Sequence, residues 1–162
     1  MSIEKVKAYF ASVGLAERVQ EFEVSSATVA LAAEALHCDP ARIAKTLSFA
    51  DSEGALLIVA AGDAKVDNPK FKARFGMKAK MLTPDDAVRL IGHAVGGVCP
   101  FAVNEGVPVY LDESLRRFDT VYPACGSSNS AIELTIPELE EHAHAASWVD
   151  VCKGWQTEST VL

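Results

Sequence analysis

The stretch Lys45-Thr46-Leu47-Ser48-Phe49-Ala50-Asp51-Ser52-Glu53-Gly54-Ala55-Leu56-Leu57-Ile58-Val59-Ala60-Ala61 decides the fold. Leu47 and Phe49 alternate with Thr46 and Ser48, the period-two signature of a strand with one buried face. Residues 51–54 carry turn formers. Residues 55–61 are apolar without interruption, which predicts a strand covered on both faces and central in its sheet. A strand, a turn and a central strand therefore anchor the chain.

The flanking segments read as helices and shorter strands. Upstream, Ser2 can cap a helix carrying Ile3, Val6, Phe10 and Val13 at helical spacing, with Gly14 as its stop. Residues 19–24 read as a short strand. Thr28 opens an alanine-rich helix, VALAAEALHC. Asp39-Pro40 is a cap followed by a first-turn proline, predicting a short helix through Ala44 and placing Lys45 at a helix-to-strand junction. Downstream, Asn68-Pro69 starts a helix that Gly76 stops. Met77, Ala79 and Met81 alternate with Lys78 and Lys80, predicting a strand with a basic outer face. Thr83-Pro84-Asp85-Asp86 begins the next helix and Gly92 ends it. Residues 107–111, 120–124 and 131–136 read as strands, 137–145 as a helix and 148–152 as a last strand. Helices and strands mix without strict alternation, so the expected class is α/β of the α+β type: one domain over residues 1–162, a mixed sheet flanked by helices. Neither G-x-G-x-x-G nor a P-loop is present, which removes the doubly wound nucleotide folds.

Composition narrows the function classes. The N-terminal MSIEKVKAYF has no apolar signal region, and residues 55–61, the longest apolar run, are too short to cross a bilayer. A soluble cytoplasmic protein with no membrane partner is expected. Cys38, Cys99, Cys125 and Cys152 lie far apart, which predicts reduced thiols and neither a disulfide frame nor a zinc knuckle. His142 and His144, two apart on the expected helix beside Glu138 and Glu141, point to different faces; that helix face is read as solvated, and no metal or cofactor is expected. The net charge is −7, but Lys65, Lys70, Lys72, Arg74, Lys78 and Lys80 stand against Asp67 alone between residues 65 and 80. That segment is +5 and the remainder −12, a distribution compatible with touching a few phosphates while rejecting bulk polyanion.

Three segments could carry chemistry. Lys45 sits among Ile43, Ala44 and Leu47; a lysine there is either partly buried, and then needs a partner or a task, or snorkels to water. Gly96-Gly97-Val98-Cys99-Pro100 is a bend in which glycines allow close backbone approach and amides can face a carbonyl or phosphate, though an ordinary rigid turn has the same composition. Cys125-Gly126-Ser127-Ser128-Asn129-Ser130 is a small polar loop that could present hydroxyls to a ligand or only connect two strands.

Together the run TVALAAEALHCDPARIAKTL (residues 28–47), the GGVCP bend and the glycine-containing loop before AIELTIPEL are similar, in order and spacing, to the YbaK/prolyl-tRNA-synthetase-associated domain family. The similarity covers nearly the whole chain. It implies the fold of prolyl-tRNA-synthetase editing domains, and a free-standing hydrolase that removes a small non-cognate amino acid such as alanine or cysteine from transfer RNA, chiefly tRNA-Pro, with prolyl-tRNA synthetase as a possible associate. The family's lysine falls on Lys45 and its G-x-x-x-P motif on Gly96 and Pro100. Its third segment falls on residues 125–131, where a serine/asparagine run replaces the glycine-lysine-arginine type of the cysteine-specific branch and Ala131 replaces an acid, so that branch's cysteine preference is not carried over. The resemblance implies Lys45 as substrate anchor and the amides of Gly96 and Gly97 as holders of the ester carbonyl. Thr46, Val98, Cys99, Pro100, Phe101, Gly126, Ser127 and Ser128 would shape the substrate pocket, and the substrate's own ribose hydroxyl would orient the water. The 65–80 cluster (Lys65, Lys70, Lys72, Arg74, Lys78, Lys80) would meet the tRNA. Two rivals stand beside this reading: a thiol hydrolase using Cys99 or Cys125 with His93 nearby, and a non-catalytic module that binds tRNA or a synthetase.

Overall fold

The apolar run 55–61 is buried at every position, as a strand covered on both faces must be. A computed structural model describes residues 2–52 and 54–155. In chain order the elements are α1 (Ser2–Ser12), β1 (Gln20–Glu21), α2 (Val29–Leu36), β2 (Ile43–Asp51), β3 (Gly54–Ala61), β4 (Lys65–Val66), α3 (Asn68–Phe75), α4 (Pro84–Asp86), β5 (Val109–Asp112), β6 (Thr120–Pro123), β7 (Ser130–Ala131), β8 (Leu134–Thr135), α5 (Ile136–His142), β9 (Ser147–Val149) and β10 (Cys152–Lys153). Single 3₁₀ turns occupy Pro40–Arg42 and Glu113–Arg117. The main sheet has the order β8-β6-β2-β3-β5-β9. β2 and β3 pair antiparallel at its centre, β6 joins β2 in parallel, β5 and β9 extend β3 in parallel, and β8 closes antiparallel on β6. The mixed sheet flanked by helices is the expected class.

The capping residues set most helix starts. Thr28, Asp67 and Thr83 each accept from a backbone N–H three residues on, and Thr135 with Glu138 forms a full capping box on α5. Several boundaries differ from expectation. Ser2 lies in the first turn of α1. The helix begun at Asp39-Pro40 is one turn ending at Arg42, so Lys45 is the third residue of a strand. Residues 19–24 yield only the two-residue β1, which pairs with β7. The alternating segment around Met77–Met81 forms no extended strand; it meets the edge of β2 opposite β3 at one bridge, Met81 to Phe49, where Ala50 N donates to the Lys80 carbonyl and Leu82 N to the Ser48 carbonyl. Residues 131–136 and 148–152 each break into two-residue or three-residue pieces. The helix begun at Thr83 turns π-helical over Ala87–Ile91 before Gly92 ends it at φ 95°. His142 is not solvated: it is buried, its Nδ1 lies 2.9 Å from the Tyr9 hydroxyl, and its ring packs edge-on against Phe10. Among the described residues no helix is long and apolar enough to cross a membrane.

One buried carboxylate ties the far edge of the sheet together. Asp112, fully buried at the end of β5, accepts from Ser114 N and from Val151 N, both at 2.9 Å. It thereby starts the Glu113–Arg117 turn and pins the chain between β9 and β10. Asp112→Ala leaves two buried N–H groups without a partner. With charge-assisted bonds of this kind contributing ~1.5–3 kcal/mol each, urea unfolding should show a loss of about 3 kcal/mol.

Candidate functional site

β2 forms the floor of a cleft of about 390 Å³. Thr28, Val29 and Ala32 from the start of α2 make one wall, Val95, Gly96 and Val98 from the glycine bend another, and Met81 with Leu82 a third. Tyr122, Ala124, Ser130 and Ala131 close the end. α2 is held over β2 by its own small cluster, in which Ala32 and Ala33 pack on Ile43 with Tyr122 alongside. Lys45 and Thr46 both line the cleft. Lys45 is half-buried, and its Nζ donates to the carbonyl of Ala64 in the turn after β3. Burial lowers its pKa below the ordinary lysine value; the Asp63 carboxylate opposes this, and Lys65 acts with burial. The Thr46 hydroxyl oxygen is buried and has no hydrogen-bond partner among the described residues.

The two loops singled out in the sequence meet. Gly96 takes φ 94°, a left-handed conformation that glycine adopts without strain. A β-carbon on Gly97 would lie 2.8 Å from Ser127 Cα and N, so only hydrogen fits where the bend crosses the second loop. Gly126, with φ 92°, lies against the backbone of Ser2. Gly126, Ser127 and Ser128 line not the cleft but the adjoining groove of about 670 Å³, which Lys5 shares. Gly97, expected to face the ester carbonyl, also lies on that groove, and its N–H is taken by the Ala94 carbonyl at 2.9 Å as the bend closes on itself. Val95 belongs to both depressions.

Cys99, Pro100 and Phe101 do not line the cleft. Cys99 and Phe101 are wholly buried in the core, where Phe101 stacks edge-on against Phe10 at 4.9 Å. Pro100 is buried behind the bend. The bend alternates, sending Val98 to the cleft and Cys99 inward. Cys99 Sγ sits 3.6 Å from His93 Nε2, but that nitrogen is 2.8 Å from the Phe101 carbonyl, so it carries the proton and donates it there. Burial pushes the Cys99 thiol up to about 12 and the Cys125 thiol higher still, and it lowers the His93 pKa. A neutral thiol without solvent access is a poor nucleophile, which removes the physical basis of the thiol-hydrolase rival.

The basic cluster is divided. Lys70 pairs with Asp150 at 3.0 Å and also reaches the Cys152 carbonyl; Arg74 bonds the Ser147 hydroxyl and lies over Phe75 and Tyr110. Lys65, Lys72, Lys78 and Lys80 are exposed. Lys80 precedes the cleft-lining Met81, and Lys65 follows the Ala64 carbonyl that holds Lys45. Sequence reading missed Tyr122, Met81, Leu82 and the Ala64 carbonyl. All reach the site through sheet pairing and loop closure, which leave no local signature.

With this geometry in place, the sequence profile of the aminoacyl-tRNA editing domain matches residues 23–142, and the chain belongs to that family. An uncharacterised protein of Bacillus subtilis (strain 168), YwhH, is 52% identical over 157 residues, spanning 96% of this chain and 100% of its own. The proline–tRNA ligase of Lactiplantibacillus plantarum is 25% identical over 120 residues, which are 74% of this chain and 21% of the ligase. A solved structure described as a candidate trans-editing enzyme for prolyl-tRNA synthetase superposes with a TM-score of 0.84 at 30% identity, over 94% of this chain and 98% of that one. Family and structural likeness together support an editing role.

The burial of the thiols has a direct readout. A thiol reagent applied to the native protein should label Cys38, the one half-exposed cysteine, and leave Cys99, Cys125 and Cys152 intact. All four should react after denaturation. Rapid native labelling of Cys99 would restore the thiol mechanism.

Proposed function

We propose that this chain is a free-standing deacylase that hydrolyses the ester of a mischarged tRNA, tRNA-Pro carrying a small non-cognate amino acid, in the cytoplasm. The observation that carries the reading is the convergence of Lys45 with Gly96 and Val98 of the glycine bend on one small cleft in a chain of the editing family. The matched segment of a proline–tRNA ligase and the likeness to a candidate trans-editing enzyme support the link to proline charging. The full-length match to a protein of similar size supports action apart from a synthetase polypeptide, with prolyl-tRNA synthetase as an occasional partner.

The chemistry follows from what the cleft offers. An aminoacyl ester is already activated, so positioning and a polarised carbonyl suffice to lower its barrier. The Lys45 ammonium anchors the substrate through the aminoacyl carbonyl or the terminal sugar-phosphate. The amide of Gly96 holds the ester carbonyl as its oxygen gains charge; Gly97 takes no part, because its N–H donates to the Ala94 carbonyl at 2.9 Å. The free ribose hydroxyl of the substrate orients the attacking water, which suits a cleft lined, among the described residues, by no carboxylate or imidazole. A cleft near the lower end of the ~300–1,000 Å³ range of ligand pockets, with Val29, Ala32, Ile43, Leu47 and Val98 on its walls, admits a small side chain and excludes a larger one by size.

Lys45→Met tests the anchor and separates it from folding. Because burial is the main reason the Lys45 pKa is lowered, the charged form costs stability in the folded state at neutral pH. That cost disappears only as pH rises through the lowered pKa toward the unfolded value. Removing the charge should leave the melting temperature equal or higher, while deacylation of tRNA-Pro charged with alanine, cysteine, serine, threonine or 2-aminobutyrate disappears. Retained turnover would remove Lys45 from the mechanism. A wild-type protein inert on the whole panel would leave the non-catalytic binding module as the reading.

The tRNA surface has its own test. Lys72→Glu with Lys78→Glu reverses two exposed charges that have no ion pair among the described residues. It should weaken tRNA binding and reduce the salt slope by about 0.9 for each phosphate that the protein no longer neutralises. Lys70→Glu should act on stability, through Asp150 and the Cys152 carbonyl. Unchanged binding in the double variant would place the tRNA elsewhere.

A further inference from the structure

Among the described residues the Lys45 ammonium forms no ion pair with a carboxylate. It meets the carbonyl of Ala64 in the turn Gly62-Asp63-Ala64 that follows β3. A lysine side chain has about 2 kcal/mol of rotamer freedom to lose, so an acceptor that holds its head is useful only if the acceptor itself is fixed. The Ala64 turn is fixed on two sides. On one, Gly62 lies so close to the Pro40 carbonyl that a β-carbon there would overlap its oxygen. On the other, Arg117 grips Asp63 with two nitrogens, Nη1 to Oδ2 at 2.9 Å and Nη2 to Oδ1 at 2.5 Å.

Arg117 is itself immobilised. Its Nε donates to the Ser114 carbonyl, its Nη1 also donates to the Trp155 carbonyl, and its guanidinium lies over the Phe118 and Trp155 rings. The same 3₁₀ turn grips the chain just ahead of Asp63, since Ala61 N donates to Ser114 Oγ at 3.1 Å. Ser114 and Arg117 thus hold the turn at its entry and at its middle residue. Neither residue lines the cleft. The two-pronged arginine geometry is also one that lysine cannot reproduce.

We propose that Arg117 and Asp63 are positioning residues for Lys45: their ion pair fixes the turn that presents the Ala64 carbonyl, and so fixes where the ammonium stands when substrate binds. This inference rests on the anchoring role given to Lys45 above. A misplacement of about 1 Å remote from the chemistry can cost as much as 10²-fold in rate.

The experiment measures kcat and KM for Arg117→Met, Asp63→Asn, the double variant and Arg117→Lys on the tRNA that the wild-type protein deacylates. In parallel it follows the side-chain NMR signal of Lys45 in lysine-labelled protein, identified by its absence in Lys45→Ala. Each single variant should lose about 10-fold to 100-fold in kcat with KM nearly unchanged. The double variant should be no worse than either single, because the two residues act as one unit. Arg117→Lys should recover part of the loss, and the Lys45 signal should move toward that of a solvent-exposed lysine. Circular dichroism shows which variants are folded; if Arg117→Met is not, Asp63→Asn carries the test. A kcat within twofold of wild type overturns the proposal, and so does a fallen kcat with the Lys45 signal unmoved, which marks a merely structural pair. If the wild-type protein deacylates nothing, the functional reading fails separately, and the Lys45 signal alone decides whether the pair positions the amine.

Discussion

The eight-pair antiparallel ladder between β2 and β3 is the constraint on which the rest of the molecule depends. Its register sets Lys45 opposite Ala60, and β3 then runs one residue further before turning. That turn brings the Ala64 carbonyl back to the lysine amine. A shift of one residue would exchange the two faces of β2, sending Lys45 where Ala44 or Thr46 now stands. The uninterrupted apolar burial of β3 makes such a slip costly, because its side chains are enclosed on both sides. The core thus does more than stabilise: it specifies where one half-buried cation stands. The cation itself weakens the fold, since withdrawing an ammonium from water is unfavourable without full compensation. Sites that destabilise their own scaffold are where function is commonly found.

What the sequence could reveal follows from the range over which each signal acts. Periodicity and caps are local, and they located β2, β3 and the starts of α2, α3 and α5 to within a residue or two. The lysine among apolar neighbours and the glycine pair were also visible, because burial of a charge and absence of a side chain are properties of short segments. Relations between segments were not. Nothing near Gly97 says that Ser127 will press against it, and nothing near Lys45 names Ala64. The segment around Met81 shows the limit from the other side: its alternation is as regular as that of β2, yet it touches the open edge of β2 at a single bridge. His142 and Cys99 were misjudged for a related reason. His142 sits where its helix face turns inward against Phe10, and Cys99 where the bend turns into the same core.

The charge pattern carries a similar lesson. Six cations in sixteen residues look like one surface in the sequence, but folding gives two of them other work. Lys70 and Arg74 fasten α3 to the β9–β10 edge, while Lys65 and Lys80 stand beside residues of the cleft. The cations of the cluster that remain exposed are therefore four, Lys65, Lys72, Lys78 and Lys80, on a chain of net charge −7. On the proposed reading this suits a protein that must recognise one end of an RNA and release it after a single hydrolysis. A dense cationic face would bind any polyanion and hold it.

The proposed chemistry also accounts for how little the cleft contains. A hydrolase acting on an amide or a phosphate ester needs a strong nucleophile and a general base, which must be buried, paired and tuned. An ester adjacent to a free ribose hydroxyl needs less, and each additional reactive group would widen the range of esters attacked. A lining of alkyl side chains, hydroxyls such as Thr46 and Ser130, one ammonium and the Gly96 backbone would limit reaction to substrates that supply their own activating hydroxyl and fit by size. Selectivity would then reside in what the walls exclude. The correct residue is larger than the one removed, so the walls must be rigid. That places the burden on packing: α2 fixed over Ile43 and Tyr122, and the glycine bend fixed against Ser127. The closeness of those contacts, more than any titrating side chain, is what would distinguish one aminoacyl group from another.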